Sequence, residues 1–272
     1  MSEFVVQCHP HPGKCFGGLV VFTPDKLVPL VNALNTIWDR KDPKVAFILA
    51  IAAPPPAFQP ALIVAPFVDT TDEAEARSTF AELFAVGPVA DHAQIHAYTE
   101  QNKITDPIAT HGDRKYMKGF AFRYLDPAIV HYTLQEYVTF LKIMGSDEAG
   151  SAAVIEGHPY GKMCDVPIDA TAFANRGDYF NFTLPVRWKN PDKDEFVRDW
   201  TKTFTSGLKV IENRIAEERK EKVIYGGYAN MDMPGDKAAD AFKSNLPRLK
   251  EVKKKWDPNG RFNKWFPISV QA

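Results

Sequence analysis

The sequence lacks the short motifs that mark the commonest phosphate, hydrolase and metal sites. It contains no Gly-x-Gly-x-x-Gly after a strand, no glycine-rich loop ending in Lys and Ser or Thr, and no Gly-x-Ser-x-Gly elbow. Phosphate binding by either loop and serine hydrolysis at an elbow therefore have no support in the sequence. Cys-x-x-Cys and His-Glu-x-x-His spacings are also absent, so no metal site is predicted.

Cysteine, charge of one sign and long apolar runs are equally scarce. The three cysteines, Cys8, Cys15 and Cys164, form an odd set without paired spacing, which indicates a reducing compartment and no disulfide framework. A formal net charge of −1 gives no support for nucleic acid or an anionic membrane as a partner. Because the N-terminus lacks a basic-then-apolar signal and no apolar run would span a bilayer, we expect a soluble cytoplasmic protein.

The chain does contain short apolar runs, and these alternate along the sequence with segments of helical periodicity. Its 272 residues are 45% hydrophobic and 12% aromatic, which is enough for a packed core. Strands that come in sequence pairs, followed by helices, predict an α+β fold in which helices cover one face of an antiparallel β-sheet. With no linker-like or repeated segment, we expect one domain over residues 1–272, closed by a strand–loop–helix segment at 225–272. The longest predicted elements are strands at 45–52, 61–68, 115–124 and 178–188, and helices after Thr23-Pro24, Asp126-Pro127 and Asn190-Pro191.

Polar side chains in two places are candidates for a ligand site. His158 and Tyr160 lie in a turn-prone stretch between Gly157 and Gly161, and each is able to hydrogen-bond or polarise a ligand carbonyl. On the long predicted strand, Asn181 and Thr183 share one face, and apolar residues occupy the other. The alternative is structural, in which His158 is a loop histidine and Tyr160 a packing residue.

Motifs in two stretches, with a shorter match near the N-terminus, carry a resemblance to a known family. The run from Asp169 to Phe173, Asp-Ala-Thr-Ala-Phe, is followed by Arg176 and by an aromatic strand that ends in Trp188. With the stretch from Glu3 to Pro10, these motifs resemble the berberine bridge enzyme-like FAD-linked oxidases over nearly the whole chain. The C-terminal stretch contributes an ordered series of matching positions: Tyr228, Asn230, Asp232, Phe242, Asn245, Arg248, Leu249, Lys253, Asp257, Pro258 and Phe262.

The chain also departs from that family's pattern. Asn175 replaces the family's histidine before Arg176, Ser244 replaces the glycine before Asn245, and Met231 replaces an aromatic residue. The resemblance begins after the family's FAD-binding domain, whose glycine-rich turns are not found here. It therefore implies the substrate-binding portion alone, with the FAD-binding domain missing and no cofactor expected.

From this resemblance we predict a cofactor-free biosynthetic enzyme that uses the retained substrate pocket. An aromatic cavity with a few hydrogen-bond donors would hold a reactive polyketide- or terpenoid-derived intermediate in a near-attack shape. Such a site favours cyclisation, including Diels–Alder or hetero-Diels–Alder cycloaddition. His158 and Tyr228 are the predicted catalytic donors. The predicted substrate-binding residues are Tyr98, Phe120, Tyr160, Met163, Asn181, Thr183, Trp188 and Asn230. Taken singly, each of the aromatic ones is better explained by packing in the core.

The alternative function is non-catalytic. The chain would then be a binding module, or one half of a split FAD-linked oxidoreductase whose flavin is held by another polypeptide. The sheet face that covers the flavin in the family would form an apolar patch hidden in an interface, and a homodimer would hide it equally well. In either case the expected ligand is a small hydrophobic molecule.

Overall fold

A computed structural model describes residues 3, 5–106, 111–145, 150–221 and 238–269. Within these residues the chain forms an α+β structure around a single sheet. The strands are β1 (Lys14–Gly17), β2 (Val20–Phe22), β3 (Val45–Ala52), β4 (Ala61–Val68), β5 (Ala90–Asp91), β6 (Gln94–Ala97), β7 (Arg114–Phe122), β8 (Ala152–Gly157) and β9 (Phe180–Trp188).

Antiparallel pairing joins these nine strands. The main order is β5-β2-β4-β3-β8-β9-β7, and β1 pairs with both β4 and β6 at one side. The central hairpin of β3 and β4 pairs over its full length, from Val45 opposite Val68 to Ala52 opposite Ala61. On its other edge β3 pairs with β8, and β8 in turn pairs with β9. The predicted class, an antiparallel sheet with helices, is confirmed.

Two helical segments begin at a capping side chain that is followed by proline. Asp126 accepts the backbone N–H of Ala128, and Asn190 accepts that of Asp192, and in each case proline occupies the first turn, where its missing N–H costs nothing. The α-helices are α1 (Leu27–Asp39), α2 (Glu73–Thr79), α3 (Ala81–Ala85), α4 (Pro127–Met144), α5 (Gly161–Cys164), α6 (Asp194–Arg219), α7 (Ala238–Phe242) and α8 (Leu246–Trp256).

One face of the sheet carries the core. Every second residue of β3, starting at Val45 and including Phe47, Leu49 and Ile51, is buried, because side chains of a strand alternate between faces. These residues form one hydrophobic cluster with the buried stripes of α1, α4 and α6. Phe182 of β9 shows the contact directly, since its ring stacks on Phe204 of α6 at a centroid distance of 5.6 Å.

Two local predictions need correction. The sequence predicts that Thr70 and Glu73 form a capping box for one helix through Phe84. Asp72 is the actual cap, the Thr70 hydroxyl donates to Glu75, and the helix divides into α2 and α3. The sequence also predicts one closing helix over residues 239–256, but a 3-10 turn at Lys243–Asn245 separates α7 from α8.

No helix among the described residues combines the length and apolar character that crossing a membrane requires.

Candidate functional site

The sheet face opposite the core carries an open cavity of about 430 Å³. Its floor consists of half-buried side chains that alternate with core residues on β3 and β4, namely Ala46, Ile48, Ala65 and Phe67. Because the two alanines keep this floor low, a flat apolar molecule has room to lie on it.

A histidine and a glutamate stand at one end of this floor. His158 follows the last residue of β8 and lines the cavity, and its Nε2 lies 3.4 Å from a carboxylate oxygen of Glu156. Glu156 is opposite Ile48 in the β3–β8 register and therefore shares the cavity's face of the sheet. This carboxylate–imidazole pair is able to accept a proton from a ligand.

A second histidine–carboxylate pair stands at the other end. His11 Nε2 lies 3.1 Å from Asp69 Oδ1, where Asp69 directly follows β4. The ring of Tyr98 packs against His11 at a centroid distance of 4.3 Å, and His11, Asp69 and Tyr98 all line the cavity. Gln101 and Lys44 complete this rim.

A buried thiol lies behind the second pair. Cys15 is fully buried, with its sulfur 3.6 Å from Nε2 of His96 and 3.8 Å from the side-chain oxygen of Gln101. Burial, and to a lesser degree the negative charge of Asp69, raises the pKa of Cys15. The sulfur is thus held as a neutral thiol, which is a poor nucleophile.

Tyr160 and Asn181 form a hydrogen bond beside the first pair. The side-chain N–H of Asn181 donates to the Tyr160 hydroxyl at 3.1 Å, and Tyr160 stacks on Tyr179 at 5.2 Å. Burial is the largest cause of a raised pKa at Tyr160, so this hydroxyl stays neutral and keeps its own proton to donate. Tyr160 also lines a neighbouring aromatic cavity of about 300 Å³ with Trp38 and Phe47.

The structure brings some of the predicted site residues together and separates others. Tyr98 and His158 line the same cavity. Thr183 is on the face of β9 that carries Asn181, and it pairs with Val154 of β8. Met163 lies on α5, where its carbonyl accepts from Arg176. The predicted residues Tyr228 and Asn230 lie outside the described residues.

The predictions for Phe120 and Trp188 need correction. They are only 4% and 3% exposed, respectively, and Phe120 pairs with Phe182 on the core face of the sheet. The Trp188 indole N–H donates to Asp194 of α6 on that same side. Both aromatics therefore pack in the core, and the prediction that they form walls of a substrate pocket is wrong.

Sequence reasoning missed Glu156, Asp69 and His11. A usable signal existed for Glu156: in β8 it alternates with the apolar residues Ala153 and Ile155, which places its carboxylate on the opposite face from the core. Asp69 and His11 are isolated in the sequence, and only the fold brings them together.

The two motif stretches singled out in the sequence contact each other. Asn245 donates from its side-chain amide to the carbonyls of Ile168 and Thr171 at 2.8 and 3.0 Å. Arg248 adds a bond to the carbonyl of Asp169 at 3.3 Å. Beyond this contact the described part of the closing segment exposes three aromatic side chains: Trp256 at 75%, Phe262 at 83% and Trp265 at 46%.

Comparisons with known proteins agree on one relationship. The family model described as berberine and berberine-like matches residues 224–269. FAD-linked oxidoreductase pgmH of Aspergillus terreus (strain NIH 2624 / FGSC A1156) is 26% identical over 285 residues, covering 98% of this chain and 57% of pgmH.

Solved structures share the fold. Berberine bridge enzyme from Eschscholzia californica superposes with a TM-score of 0.72 at 18% identity, covering 96% of this chain and 56% of that enzyme. BBE-like 1 of Physcomitrella patens gives a TM-score of 0.72 at 11% identity, covering 97% and 56%. The chain therefore spans somewhat more than half the length of these relatives, and the resemblance predicted from its motifs is confirmed.

The described residues fit only part of a flavin dinucleotide. The apolar floor suits a flat ring system, but the groups that ring it include Asp69 and the nearby Glu156, with Lys44 as the cation on the rim. Two carboxylates oppose the binding of a diphosphate. Within the part of the chain that the structure describes, no group of three or more His, Cys, Asp or Glu side chains is arranged to hold a metal ion.

Proposed function

Because the chain shares the fold of berberine bridge enzyme and is related to an FAD-linked oxidoreductase, we propose that it is an enzyme acting on a small hydrophobic molecule. The substrate lies on the open sheet face, and the reaction is a non-redox cyclisation or cycloaddition. The observation that carries this proposal is the cavity of about 430 Å³, which combines an apolar floor with polar groups at both ends.

The chain's own residues supply what such a reaction needs. The floor of Ala46, Ile48, Ala65 and Phe67 accepts a conjugated chain or ring and keeps water from one side of it. Hydrogen bonds of the molecule with His158 at one end and with the Tyr98 hydroxyl at the other fix how it folds, which lowers the entropy cost of bringing its reacting carbons together. Electron withdrawal by a donor at a ligand carbonyl then favours ring closure.

A cavity-filling variant tests this directly. Ala65→Trp places an indole on the floor, whereas Ala61→Trp adds the same side chain to the same face of β4 outside the cavity. Purified protein is incubated with conjugated polyene and quinone-methide precursors, and product ratios are compared with those formed in buffer. We expect catalysis by wild type and by Ala61→Trp, and loss of catalysis in Ala65→Trp.

Two results would contradict the proposal. One is that wild type leaves every product ratio unchanged. The other is that the purified protein shows flavin absorbance near stoichiometric occupancy, since cyclisation without redox chemistry requires no flavin.

The second candidate function is that of the substrate-binding half of an FAD-linked oxidoreductase whose flavin is held elsewhere. The exposed aromatics of the closing segment, Trp256, Phe262 and Trp265, favour it, because several large exposed apolar side chains within ten residues are often covered by another protein surface. The names of the related proteins point the same way.

Gentle isolation from the native cells separates the two candidates. The second predicts that the protein elutes with a stoichiometric flavin chromophore on a larger assembly, and that Trp256→Asp with Phe262→Asp releases it. A colourless protein eluting at its own mass would rule this function out. Lys264→Asp, on the same segment, is the matched control for added negative charge.

A further inference from the structure

The two histidine–carboxylate pairs are separated by the width of the apolar floor. His158 follows β8, and Asp69 follows β4, with β3 between these strands in the sheet. Two inter-strand spacings amount to about 10 Å. A molecule that touches both pairs therefore extends across β3, with polar groups at its opposite ends.

Each end holds an acceptor for a hydrogen bond from a ligand. At His11 the ring tautomer is fixed, since the backbone N–H of Gly13 donates to Nδ1 at 3.0 Å and Nε2 therefore donates to Asp69. At this end the oxygens of Asp69 accept a hydrogen bond from a ligand, and Lys44 and the hydroxyl of Tyr98 on the same rim can donate one to it. At the other end, Nε2 of His158 faces Glu156, and its Nδ1 makes no hydrogen bond with any described residue.

Stabilisation of the fold does not account for these pairs. The side chains of His158 and Glu156 are 44% and 25% exposed, and those of His11 and Asp69 are 29% and 42% exposed. Ion pairs this open to water contribute little to stability. Their shared position on one cavity is better explained by a ligand.

We infer that the cavity binds planar aromatic molecules that carry a hydroxyl group at each end, and that His158 accepts the proton from one of them. In that step the ligand O–H bond breaks, an N–H bond forms at Nδ1 of His158, and the electron pair remains on the ligand oxygen. Glu156 is a positioning residue that stabilises the imidazolium, while Asp69 accepts the hydrogen bond of the second hydroxyl. The proton returns when the ligand leaves. The inference rests on the proposed cavity but not on cyclisation.

Binding of three matched probes tests the hydroxyl requirement. The probes are a naphthalenediol with hydroxyls on opposite rings, its monomethyl ether and its dimethyl ether. The binding of each probe is measured by the change in its own fluorescence. Each hydroxyl should tighten binding about tenfold, as expected for a hydrogen bond to a charged acceptor. Asp69→Asn should remove that advantage for the diol while leaving the dimethyl ether unchanged. Equal binding of the three probes, or no binding at all, would overturn the inference.

Proton transfer is tested by the absorption of the ionised naphthol, whose band lies to the red of the band of the neutral form. Wild type should raise the ionised fraction of the bound diol in the ground-state absorption and excitation spectra. His158→Gln should abolish this rise, and Glu156→Gln should reduce it about tenfold, with the dimethyl ether bound as before. His131→Gln, an exposed histidine on α4, is the control that should match wild type. An unchanged ionised fraction in His158→Gln would refute the role of His158.

These outcomes are separable from those of the proposed function. If no precursor is cyclised but the diol binds and ionises as described, the cyclase proposal fails and this inference stands. If precursors are cyclised while all three naphthalene probes bind equally, this inference fails and the cyclase proposal stands.

Discussion

The two faces of the central hairpin differ in what their side chains do. Toward the helices, β3 and β4 present large, fully buried residues such as Phe47, Leu49 and Val64. Toward the cavity they present smaller, half-buried ones such as Ala46 and Ala65. One face excludes water to hold the fold together, and the other leaves space that a ligand can occupy.

If the cavity binds a ligand as proposed, alternate residues of the same strands serve stability and binding. A change on the helix-covered face should act mainly on the free energy of unfolding. On the open face, a change of the same kind should act mainly on ligand affinity. The predictions below test that separation.

The largest effect is expected for truncating an aromatic side chain on the covered face. Phe182→Ala removes a ring that is 1% exposed and stacked on Phe204, so it should lower the free energy of unfolding by about 3–5 kcal/mol. Phe67→Ala, on the open face, should cost only about 1 kcal/mol, because its ring is already partly exposed to water.

Urea denaturation followed by circular dichroism measures both values. Similar losses of stability in the two variants would contradict this prediction, because they would mean that the open face is packed as tightly as the covered one.

A smaller effect concerns an acid on the covered side. Glu212 of α6 is 1% exposed, and one of its carboxylate oxygens has no hydrogen-bond partner among the described residues. Burial is the largest cause of a raised pKa at Glu212. The folded state therefore prefers the protonated acid. The stability that the protonated acid gives the folded state is fully present below pH 4.5, the pKa of this group in the unfolded chain. It is lost as pH rises through the higher pKa of the folded state.

Glu212→Gln replaces this acid with a neutral side chain of the same shape. Relative to wild type, the variant should gain stability on the order of 1 kcal/mol between about pH 5 and pH 8. Urea midpoints across this range measure the gain. Parallel pH curves for the two proteins would show that Glu212 ionises in the folded protein as it does in water.

The smallest effect is a difference in thiol reactivity. Cys15 is buried and has a raised pKa, whereas Cys8 and Cys164 are exposed. At neutral pH, iodoacetamide should modify Cys8 and Cys164 first, because only the thiolate reacts. Peptide mass spectrometry after brief labelling gives the order. Modification of Cys15 at an equal rate would show that the rim beside Asp69 opens in solution.

Much of the fold was predictable where local signals agreed with the final environment. The hairpin at 45–52 and 61–68 matches β3 and β4 because each strand is rich in apolar and β-branched residues and the prolines between them prevent a continuous helix. The helix after Asp126-Pro127 begins where it is predicted to, with the Asp126 cap at one end and Gly145 at the other.

The site was less predictable because it depends on contacts between distant segments. Residue type alone placed Phe120 and Trp188 in the pocket, although alternation along β7 and β9 decides which face each one occupies. Asp69 and His11 lie 3.1 Å apart only because the chain leads each of them to the same rim of the sheet. No local pattern encodes such a meeting.

The alternation within β3 and β4 has a consequence for how this protein can change over generations. Substitutions at the even-numbered floor positions Ala46 and Ile48 change the shape of the cavity without producing variants that fail to fold, because their odd-numbered neighbours form the core. Ligand preference is thus free to drift while the scaffold is conserved. A saturation library of β3 should therefore divide into two interleaved sets, one depleted by selection for expression and the other only by selection for activity.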